Sequence, residues 1–239
     1  MRVNKYISEA GLCSRREADD LLVAGRVTIN GEVVTTGAKA LDGDEVRVDG
    51  EIVKARILAA TPGAKKAVYI ALNKPVGITC TTDQSVDGNI VDFVDHPQRI
   101  FPVGRLDKDS EGLILLTSNG DIVNEILRAE NHHEKEYLVA VDKAVTDEFL
   151  RGMAKGVRIH GQVTKPCRTR RIAKYGFSIV LTQGLNRQIR LMAAAFDYRV
   201  TQLRRVRIDN VKLAHLKIGQ WRNLTEAELK GLLPERTQW

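Results

Sequence analysis

The sequence predicts an α+β protein that consists of two units of unequal size. Strand-like and helix-like segments alternate through most of its 239 residues, and no run of 18 apolar residues occurs that could cross a membrane as a helix. Residues 61–67 include Pro62-Gly63, which breaks regular structure and separates a module at 1–60 from a body at 68–239. We therefore expect a small N-terminal domain, a linker, and a larger domain with a mixed, largely antiparallel sheet and flanking helices.

Residues typical of helix caps and tight turns predict that the module consists of two helices followed by two hairpins. Asn4 is expected to cap the first helix. The run Ser14–Glu17 is typical of a capping box, in which the serine and the glutamate satisfy each other's backbone N–H groups, and Gly25 is expected to end the helix behind it. The dipeptides Asn30-Gly31 and Asp49-Gly50 predict the tight turns of two hairpins.

The body alternates strands and helices in an order that fits a single mixed sheet. Its predicted strands are 68–72, 101–103, 113–117, 136–141 and 177–182, and its predicted helices are 121–127, 146–153 and 186–196. Thr225 and Glu228 form another capping-box pattern, which predicts a short final helix.

Positive charge is concentrated in the body. Residues 158–212 contain 13 Lys or Arg and only two carboxylates, whereas residues 1–60 contain nine cations and ten carboxylates. Cations so poorly interspersed with acids repel one another unless an anion offsets them, which favours a polyanionic partner over an ordinary solvated face. The charge therefore indicates nucleic acid binding.

The other chemical signals argue against secretion, metals and cofactors. The three cysteines are far apart and odd in number, so they form neither a disulfide framework nor a zinc pattern. The N-terminus lacks the apolar stretch of a signal peptide, and no glycine-rich phosphate loop occurs. His132 and His133 have no acidic or cysteine partner at metal spacing. We expect a cytoplasmic protein with no metal and no organic cofactor.

The strongest sign of chemistry is an acidic residue in an apolar junction. Asp107 lies two residues after Arg105, between two apolar segments. A carboxylate there is costly to desolvate, so its presence suggests a catalytic role. Two alternatives remain open from the residues alone. Asp107 could be ion-paired to Arg105, or it could form with Asp109 and Glu111 the paired carboxylates of a glycosidase.

Four short stretches of the body form a recognisable set. They are Asn73–Gly77, Gly104–Leu113, Lys135–Val139 and Gly184–Arg190. Together they resemble the motifs of the RsuA/RluB/RluE/RluF family of RNA pseudouridine synthases, and with the module the resemblance covers almost the whole chain. It implies that the protein isomerises uridine to pseudouridine in RNA, with an essential aspartate and without a cofactor.

The resemblance assigns roles to three residues of the body. It places the catalytic aspartate of the family on Asp107, its active-site tyrosine on Tyr137 and the basic partner of the aspartate on Arg190. Asp107 is then expected to act as a nucleophile or as a base at the sugar, paired with Arg190 and kept ionised by it. The residues alone favour a core tyrosine at 137, whereas the resemblance makes it the ring that stacks on an extruded uracil.

The module resembles the S4-type RNA-binding domain. The matching phrases are Asn4–Ile7, Cys13–Ala18 and Gly25–Gly31. In that domain the second helix and the following turn meet the RNA backbone. The implied RNA-binding residues of the module are Lys5, Arg15, Arg16 and Arg26, and those of the body are Lys74, Arg105 and Arg187. For Arg15 or Arg16 taken alone, the role of an ordinary exposed arginine is an open alternative.

The expected partner is 23S ribosomal RNA or a large-subunit assembly intermediate, with a tRNA as a candidate second substrate and no membrane. The protein is expected to act as a monomer. A non-catalytic, ribosome-associated RNA-binding protein is the rival class, because charge and fold alone do not distinguish it from an enzyme. An isomerised uridine that depends on Asp107 would distinguish the two.

Overall fold

A computed structural model describes residues 1–53, 67–127 and 133–234. The chain divides into two compact units, residues 1–66 and 67–239. The expected linker at 61–67 lies outside the described residues except for its last position. No helix of the described part is long and apolar enough to cross a membrane.

The N-terminal unit consists of two helices and a four-stranded antiparallel sheet in the order β2-β1-β3-β4. Its elements are α1 (Val3–Glu9), α2 (Arg15–Val23), β1 (Val27–Ile29), β2 (Glu32–Val33), β3 (Val46–Val48) and β4 (Glu51–Ile52). The capping box of Ser14 and Glu17 is present, and both turn dipeptides adopt the positive φ that such turns require. The prediction for Asn4 is wrong. It lies within α1 and donates its side-chain N–H to Asp19 Oδ1 of α2 at 2.9 Å.

The second unit is built on a sheet in the order β11-β12-β8-β13-β7-β5-β15, to which β6 and β14 add. The strands are β5 (Tyr69–Lys74), β6 (Phe101–Val103), β7 (Glu111–Thr117), β8 (Lys135–Val141), β9 (Arg158–Ile159), β10 (Gln162–Val163), β11 (Arg168–Ala173), β12 (Gly176–Leu181), β13 (Val200–Ile208), β14 (Val211–Lys212) and β15 (Trp221–Asn223). The helices are α3 (Ile90–Val94), α4 (Asp121–Leu127), α5 (Asp147–Lys155), α6 (Gln188–Ala194) and α7 (Glu226–Leu232). β13 runs parallel to β7 and the other pairs of this sheet are antiparallel, which confirms the predicted mixed sheet.

Helices cover both faces of this sheet. Alternate residues of β5 belong to different cores, with Ile70 and Leu72 in one and Tyr69 and Ala71 in the other. The first core includes buried side chains of α3, α5 and α6, and the second includes those of α4 and α7. Because side chains alternate between the faces of a strand, burial on both faces accounts for the four consecutive apolar residues at the start of β5.

The central strand β13 was not predicted. It contains three arginines between 204 and 207, which mask its strand pattern. Its parallel pairing with β7 brings the backbones of Gly112 and Arg205 close together. Gly112 has a φ of +105°, and a Cβ placed on it would lie 2.2 Å from the carbonyl oxygen of Arg205. This junction therefore requires glycine.

Candidate active site

The loop from 104 to 110, between β6 and β7, carries the candidate carboxylate. The backbone N–H of Ser110 donates to the carbonyl of Asp107 at 3.1 Å, which closes a turn. Leu106 is buried, and its N–H donates to Cys80 Sγ at 3.4 Å. The Asp107 side chain is 29% exposed. The backbone on both sides of Asp107 is thus anchored, while its carboxylate stays accessible to a ligand.

Two carboxylates of this loop face the guanidinium of Arg187. Its Nη1 lies 3.7 Å from Asp107 Oδ2, and its Nη1 and Nη2 donate to the two oxygens of Asp109 at 3.3 and 3.2 Å. Burial raises the pKa of Asp109, but the hydrogen bond from Arg187 and the charges of Arg190 and Arg187 outweigh it, so this pKa lies below its ordinary value. Arg187 is the N-cap of α6 and has a left-handed backbone with φ of 50°. The helix therefore begins two residues later than predicted.

Arg190 does not pair with Asp107, and that expectation is wrong. Its Nη2 donates to the carbonyl of Asp109 at 3.0 Å and to Ser110 Oγ at 3.1 Å, and it lies 3.3 Å from Asp109 Oδ2. Its Nη1 donates to the carbonyl of Val200 at 3.3 Å. Because α6 starts at Gln188, the side chain of Arg190 reaches the turn after Asp107 and not its carboxylate. It links that turn to β13.

The paired-carboxylate alternative has no support in this geometry. Asp109 is occupied by the two arginines of the 184–190 motif. Glu111 is buried at the start of β7 and accepts a hydrogen bond from Gln202 Nε2 at 2.9 Å. Neither carboxylate is placed as a partner of Asp107 across a common substrate site.

Tyr137 lies on β8 and is 9% exposed, in the same core as Leu106. Next to it on β13 is Arg205, a residue not singled out from the sequence. The guanidinium carbon of Arg205 lies 6.0 Å from the centroid of the Tyr137 ring, and its Nε donates to the carbonyl of Leu113 at 2.7 Å. Arg205 is 4% exposed, and its Nη2 is buried with no hydrogen-bond partner. A cation at this distance is attracted by the ring face.

Arg205 could be found from the sequence only as one of three arginines within 204–207. The other two differ in contacts. Arg207 is paired with Glu134 and Glu136, and Arg204 is not placed against the Tyr137 ring. Composition cannot rank the three, because the distinction depends on which face of β13 each side chain occupies.

The prediction that Lys74 contacts RNA stays a prediction, and the burial of this side chain argues against it. Its side chain is fully buried at the end of β5, and its Nζ donates to the carbonyls of Pro75 and Ile78 at 2.9 and 2.8 Å. Burial lowers the pKa of Lys74, an effect that nearby Cys80 and Asp107 partly oppose. Lys74 thus places a buried cation close to the Asp107 loop.

The remaining candidates are at the surface of their own units. Arg105 is exposed and makes no hydrogen bond or ion pair within 67–127 or 133–234. In the N-terminal unit, Arg15 and Arg16 are exposed in the first turn of α2, and Lys5 lies 3.3 Å from Glu9. Arg26 donates two hydrogen bonds to Asp49, at 2.7 and 2.6 Å, so RNA would compete with an existing ion pair. The part of the chain that the structure describes holds no cluster of three His, Cys, Asp or Glu side chains placed to ligate a metal.

Comparisons with known proteins match both units. A family model described as RNA pseudouridylate synthase matches residues 68–195, and a model of the S4 domain matches residues 1–46. A crystal structure of a pseudouridylate synthase superposes with a TM-score of 0.70 at 30% sequence identity, over 97% of this chain and 99% of that one.

Several curated proteins are similar over nearly the whole chain. The dual-specificity RNA pseudouridine synthase RluF of Salmonella typhi is 56% identical over 228 residues, which are 95% of this chain and 77% of that protein. RluF of Escherichia coli (strain K12) is 55% identical over 229 residues, with coverage of 96% and 77%. The ribosomal large subunit pseudouridine synthase B of Bacillus subtilis is 33% identical over 240 residues, with coverage of 97% and 95%. The likeness to RluF that the module and the Asn186–Arg190 motif indicate is confirmed.

Proposed function

We propose, from the premise that this chain belongs to the RNA pseudouridine synthase family, that it isomerises a uridine of 23S ribosomal RNA through the carboxylate of Asp107. Pseudouridine formation in RNA follows from the family itself. The target RNA, the role of the aspartate and the absence of a cofactor are the parts that we propose.

One observation carries the assignment of Asp107. It is a partly exposed carboxylate on an anchored loop, with the Arg187 guanidinium 3.7 Å away. The opposite charge attracts and orients the carboxylate, a group that can act as a nucleophile or a base. Arg190 holds the turn that follows, so the carboxylate is positioned before RNA binds.

The reaction is an isomerisation, so no atom is gained or lost. The bond between N1 of uracil and C1′ of ribose breaks, with Asp107 either attacking C1′ or removing a proton from the sugar. The freed uracil turns within the site and C5 bonds to C1′. If Asp107 attacked C1′, its ester bond to C1′ breaks as the C5 bond forms; if it took a proton from the sugar, it returns that proton to the same carbon. The proton on C5 then leaves as N1 gains one. Each step uses acid–base or nucleophilic chemistry that a side chain supplies, so we propose that no metal or organic cofactor takes part.

Tyr137 is the proposed stacking partner of the extruded uracil. Stacking of a base on an aromatic ring is worth about 1–3 kcal/mol, and extrusion costs a few kcal/mol, so the ring offsets much of the cost. Arg205 on the neighbouring strand supports the ring. Arg105, exposed on the catalytic loop, is the proposed side chain that occupies the place the base leaves in the RNA.

The S4 domain is proposed to hold the RNA backbone through Lys5, Arg15, Arg16 and Arg26. The substrate assignment rests on relatives named as a large-subunit pseudouridine synthase and as dual-specificity enzymes. We therefore propose 23S ribosomal RNA, free or in an assembly intermediate, as the first substrate and a tRNA as the second. We also propose that the protein acts in the cytoplasm and as a monomer.

The test is Asp107→Asn, with Asp109→Asn as the matched control in the same loop. The enzyme's turnover on an unmodified 23S transcript should fall by about 10²–10⁴-fold or more for Asp107→Asn, while its RNA affinity is retained. Asp109→Asn should retain a larger share of activity, because Asp109 acts only by holding the arginines. Undiminished pseudouridine formation by Asp107→Asn would reject the assignment.

The substrate is tested separately in cells. Pseudouridine mapped across total RNA with and without the protein should show one or more 23S uridines that depend on it. If only tRNA sites disappear, the proposal for 23S RNA is wrong while the proposal for Asp107 stands.

A further inference from the structure

One segment of the catalytic unit carries many cations and no carboxylates. Residues 151–174 contain eight Lys or Arg and neither Asp nor Glu. The segment covers the last turns of α5, the β9–β10 hairpin and the edge strand β11. None of these residues belongs to the catalytic loop or to its arginines, so the proposed mechanism does not explain this charge.

Part of the segment lines an open groove between α5 and β11, of roughly 590 Å³. Arg151, Ala154 and Cys167 are among its walls. The backbone N–H of Cys167 donates to the carbonyl of Ala154 at 2.9 Å, which holds the start of β11 against the end of α5. Lys155 follows Ala154 in the chain and Lys165 lies two residues before Cys167, so both lie beside this junction. We name this surface the α5–β11 groove.

The cations of the groove differ in how they are neutralised. Arg168, which lines the groove, is paired with Glu134 at 2.7 Å. Asp147 also lines the groove, and its charge is offset by Arg171 of β11 at 2.7 Å. Arg151, Lys155 and Lys165 are exposed and have no acidic partner within 67–127 or 133–234. Arg151 lines the groove, and Lys155 and Lys165 lie close in the chain to Ala154 and Cys167, which also line it. Three unpaired cations in one segment repel one another and attract a chain of phosphates.

The groove is joined to the catalytic site by direct contacts. The backbone N–H of Lys165 donates to the side-chain oxygen of Gln183, and a ring N–H of His160 donates to the carbonyl of Asn186 at 2.9 Å. Both acceptors belong to the segment that leads into Arg187, and Arg187 faces Asp107. The β9–β10 hairpin therefore lies beside the stretch that carries Arg187.

We propose that the α5–β11 groove binds the phosphate backbone of the substrate RNA beside the target uridine. The inference rests on the proposed function, because it takes the substrate to be RNA. It adds a contact surface of the catalytic unit that is separate from the S4 domain and from the catalytic loop. RNA is favoured over an acidic protein because the segment carries eight cations and no carboxylate, and because its β9–β10 hairpin contacts the stretch that leads into Arg187.

The test is the triple variant Arg151→Gln, Lys155→Gln and Lys165→Gln. These side chains are exposed and make no ion pair in the described part of the chain, so the fold should persist. The matched control removes three exposed lysines of the same unit outside the segment, in the triple variant Lys212→Gln, Lys217→Gln and Lys230→Gln. Both triples lower the net charge equally.

The probe is an unmodified 23S ribosomal RNA transcript, with its Kd measured over a range of salt and kcat measured at saturating RNA. If each of the three cations binds one phosphate, their removal should raise the Kd by about 10- to 100-fold at 0.1 M salt and lower the salt slope by about 2. The control triple should change neither by a comparable amount, and kcat should be the same for all three proteins.

Three results would overturn the proposal. An unchanged Kd would show that the groove does not contact RNA. Equal losses of affinity in both triples would show an effect of net charge alone. A lower kcat at an unchanged Kd would show that the segment acts through the catalytic loop. Failure of the wild-type protein to form pseudouridine would instead reject the proposed function, which the binding comparison does not require.

Discussion

Arg187 lies with its Nη1 3.7 Å from Asp107 Oδ2, at the start of a helix far along the chain from the catalytic loop. Arg190, three residues later, bonds the backbone of the turn that follows Asp107. One motif thus supplies two arginines with different tasks. The first supplies charge beside the carboxylate, and the second positions the loop that carries it.

This division predicts different effects for Arg187→Gln and Arg190→Gln. Arg187→Gln should lower kcat but change the free energy of unfolding by only about 0–1 kcal/mol, because its ion pairs are half exposed. Arg190→Gln should lower kcat and also destabilise by about 1–3 kcal/mol, because the largely buried guanidinium of Arg190 donates to the carbonyls of Asp109 and Val200 and these bonds are lost. Single-turnover assays and urea unfolding measure both quantities, and equal stability losses would contradict the division.

Arg205 and Tyr137 are predicted to be energetically coupled. A double-mutant cycle with Arg205→Met and Tyr137→Leu should give a coupling of about 0.5–2 kcal/mol in unfolding, because the guanidinium faces the ring in a buried site. The control cycle pairs Tyr137→Leu with Arg207→Met, whose partners are Glu134 and Glu136. A coupling as large in the control cycle would remove any special role for Arg205.

Gly112 is predicted to be irreplaceable for folding. In Gly112→Ala, the added Cβ clashes with the backbone of Arg205. We therefore expect the free energy of unfolding to fall by more than about 3 kcal/mol, or the protein not to fold. Gly161→Ala is the control in the same unit, since Gly161 also has a positive φ but nothing within 4 Å of the added atom. The Gly161→Ala variant should lose only about 1–2 kcal/mol of its free energy of unfolding. Circular dichroism during denaturation measures both, and similar losses would contradict the steric argument.

Substitutions of Lys74 and Arg105 are predicted to have opposite effects: one should change stability and the other RNA binding. Lys74→Met should leave RNA affinity unchanged and destabilise by about 1–3 kcal/mol, because two carbonyls lose a buried donor. Arg105→Ala should weaken RNA binding with little change in stability, because its side chain is exposed. Weaker RNA binding by folded Lys74→Met would restore Lys74 as an RNA contact.

Glu228 is predicted to make stability depend on pH. The hydrogen bonds from Arg222 lower the pKa of Glu228 from 4.5 to about 2, so the native state favours the ionised carboxylate. This contribution is complete above pH 4.5 and is lost as the pH falls from about 4.5 towards 2. Glu228→Gln should therefore lower the free energy of unfolding by up to about 3 kcal/mol at neutral pH. The difference in stability between the variant and the wild-type protein should become smaller below pH 4.5.

Urea unfolding at neutral and acidic pH measures this difference. Gln at position 228 keeps the capping role of α7, so the substitution isolates the charge. Glu226→Gln is the control, because Glu226 is 72% exposed in its pair with Lys230 and should matter little. A destabilisation by Glu228→Gln that does not change with pH would contradict the assignment to charge.

Local features of the fold were predictable because short-range contacts determine them. The two capping boxes and the two hairpin turns formed where the residues indicated, since each needs only side chains within three positions of one another. The prediction for Asn4 failed because the helix starts two residues earlier, with Arg2 as its N-cap, and a tertiary contact with Asp19 engages the Asn4 side chain. The strand β13 was missed because its arginines suit a surface as well as a strand buried at the centre of a sheet.

The sequence by itself determined the family, the enzyme class and the position of the candidate carboxylate, because these depend on motifs that are contiguous in the chain. Only the tertiary structure decided that Arg187 faces Asp107, that Arg190 holds the following turn, that Lys74 is buried and that Arg205 lies against Tyr137. These contacts join distant segments through the parallel pairing of β7 with β13 and the packing of α6. A one-residue change in register or helix start would exchange the side chains that meet, and no local pattern specifies that choice.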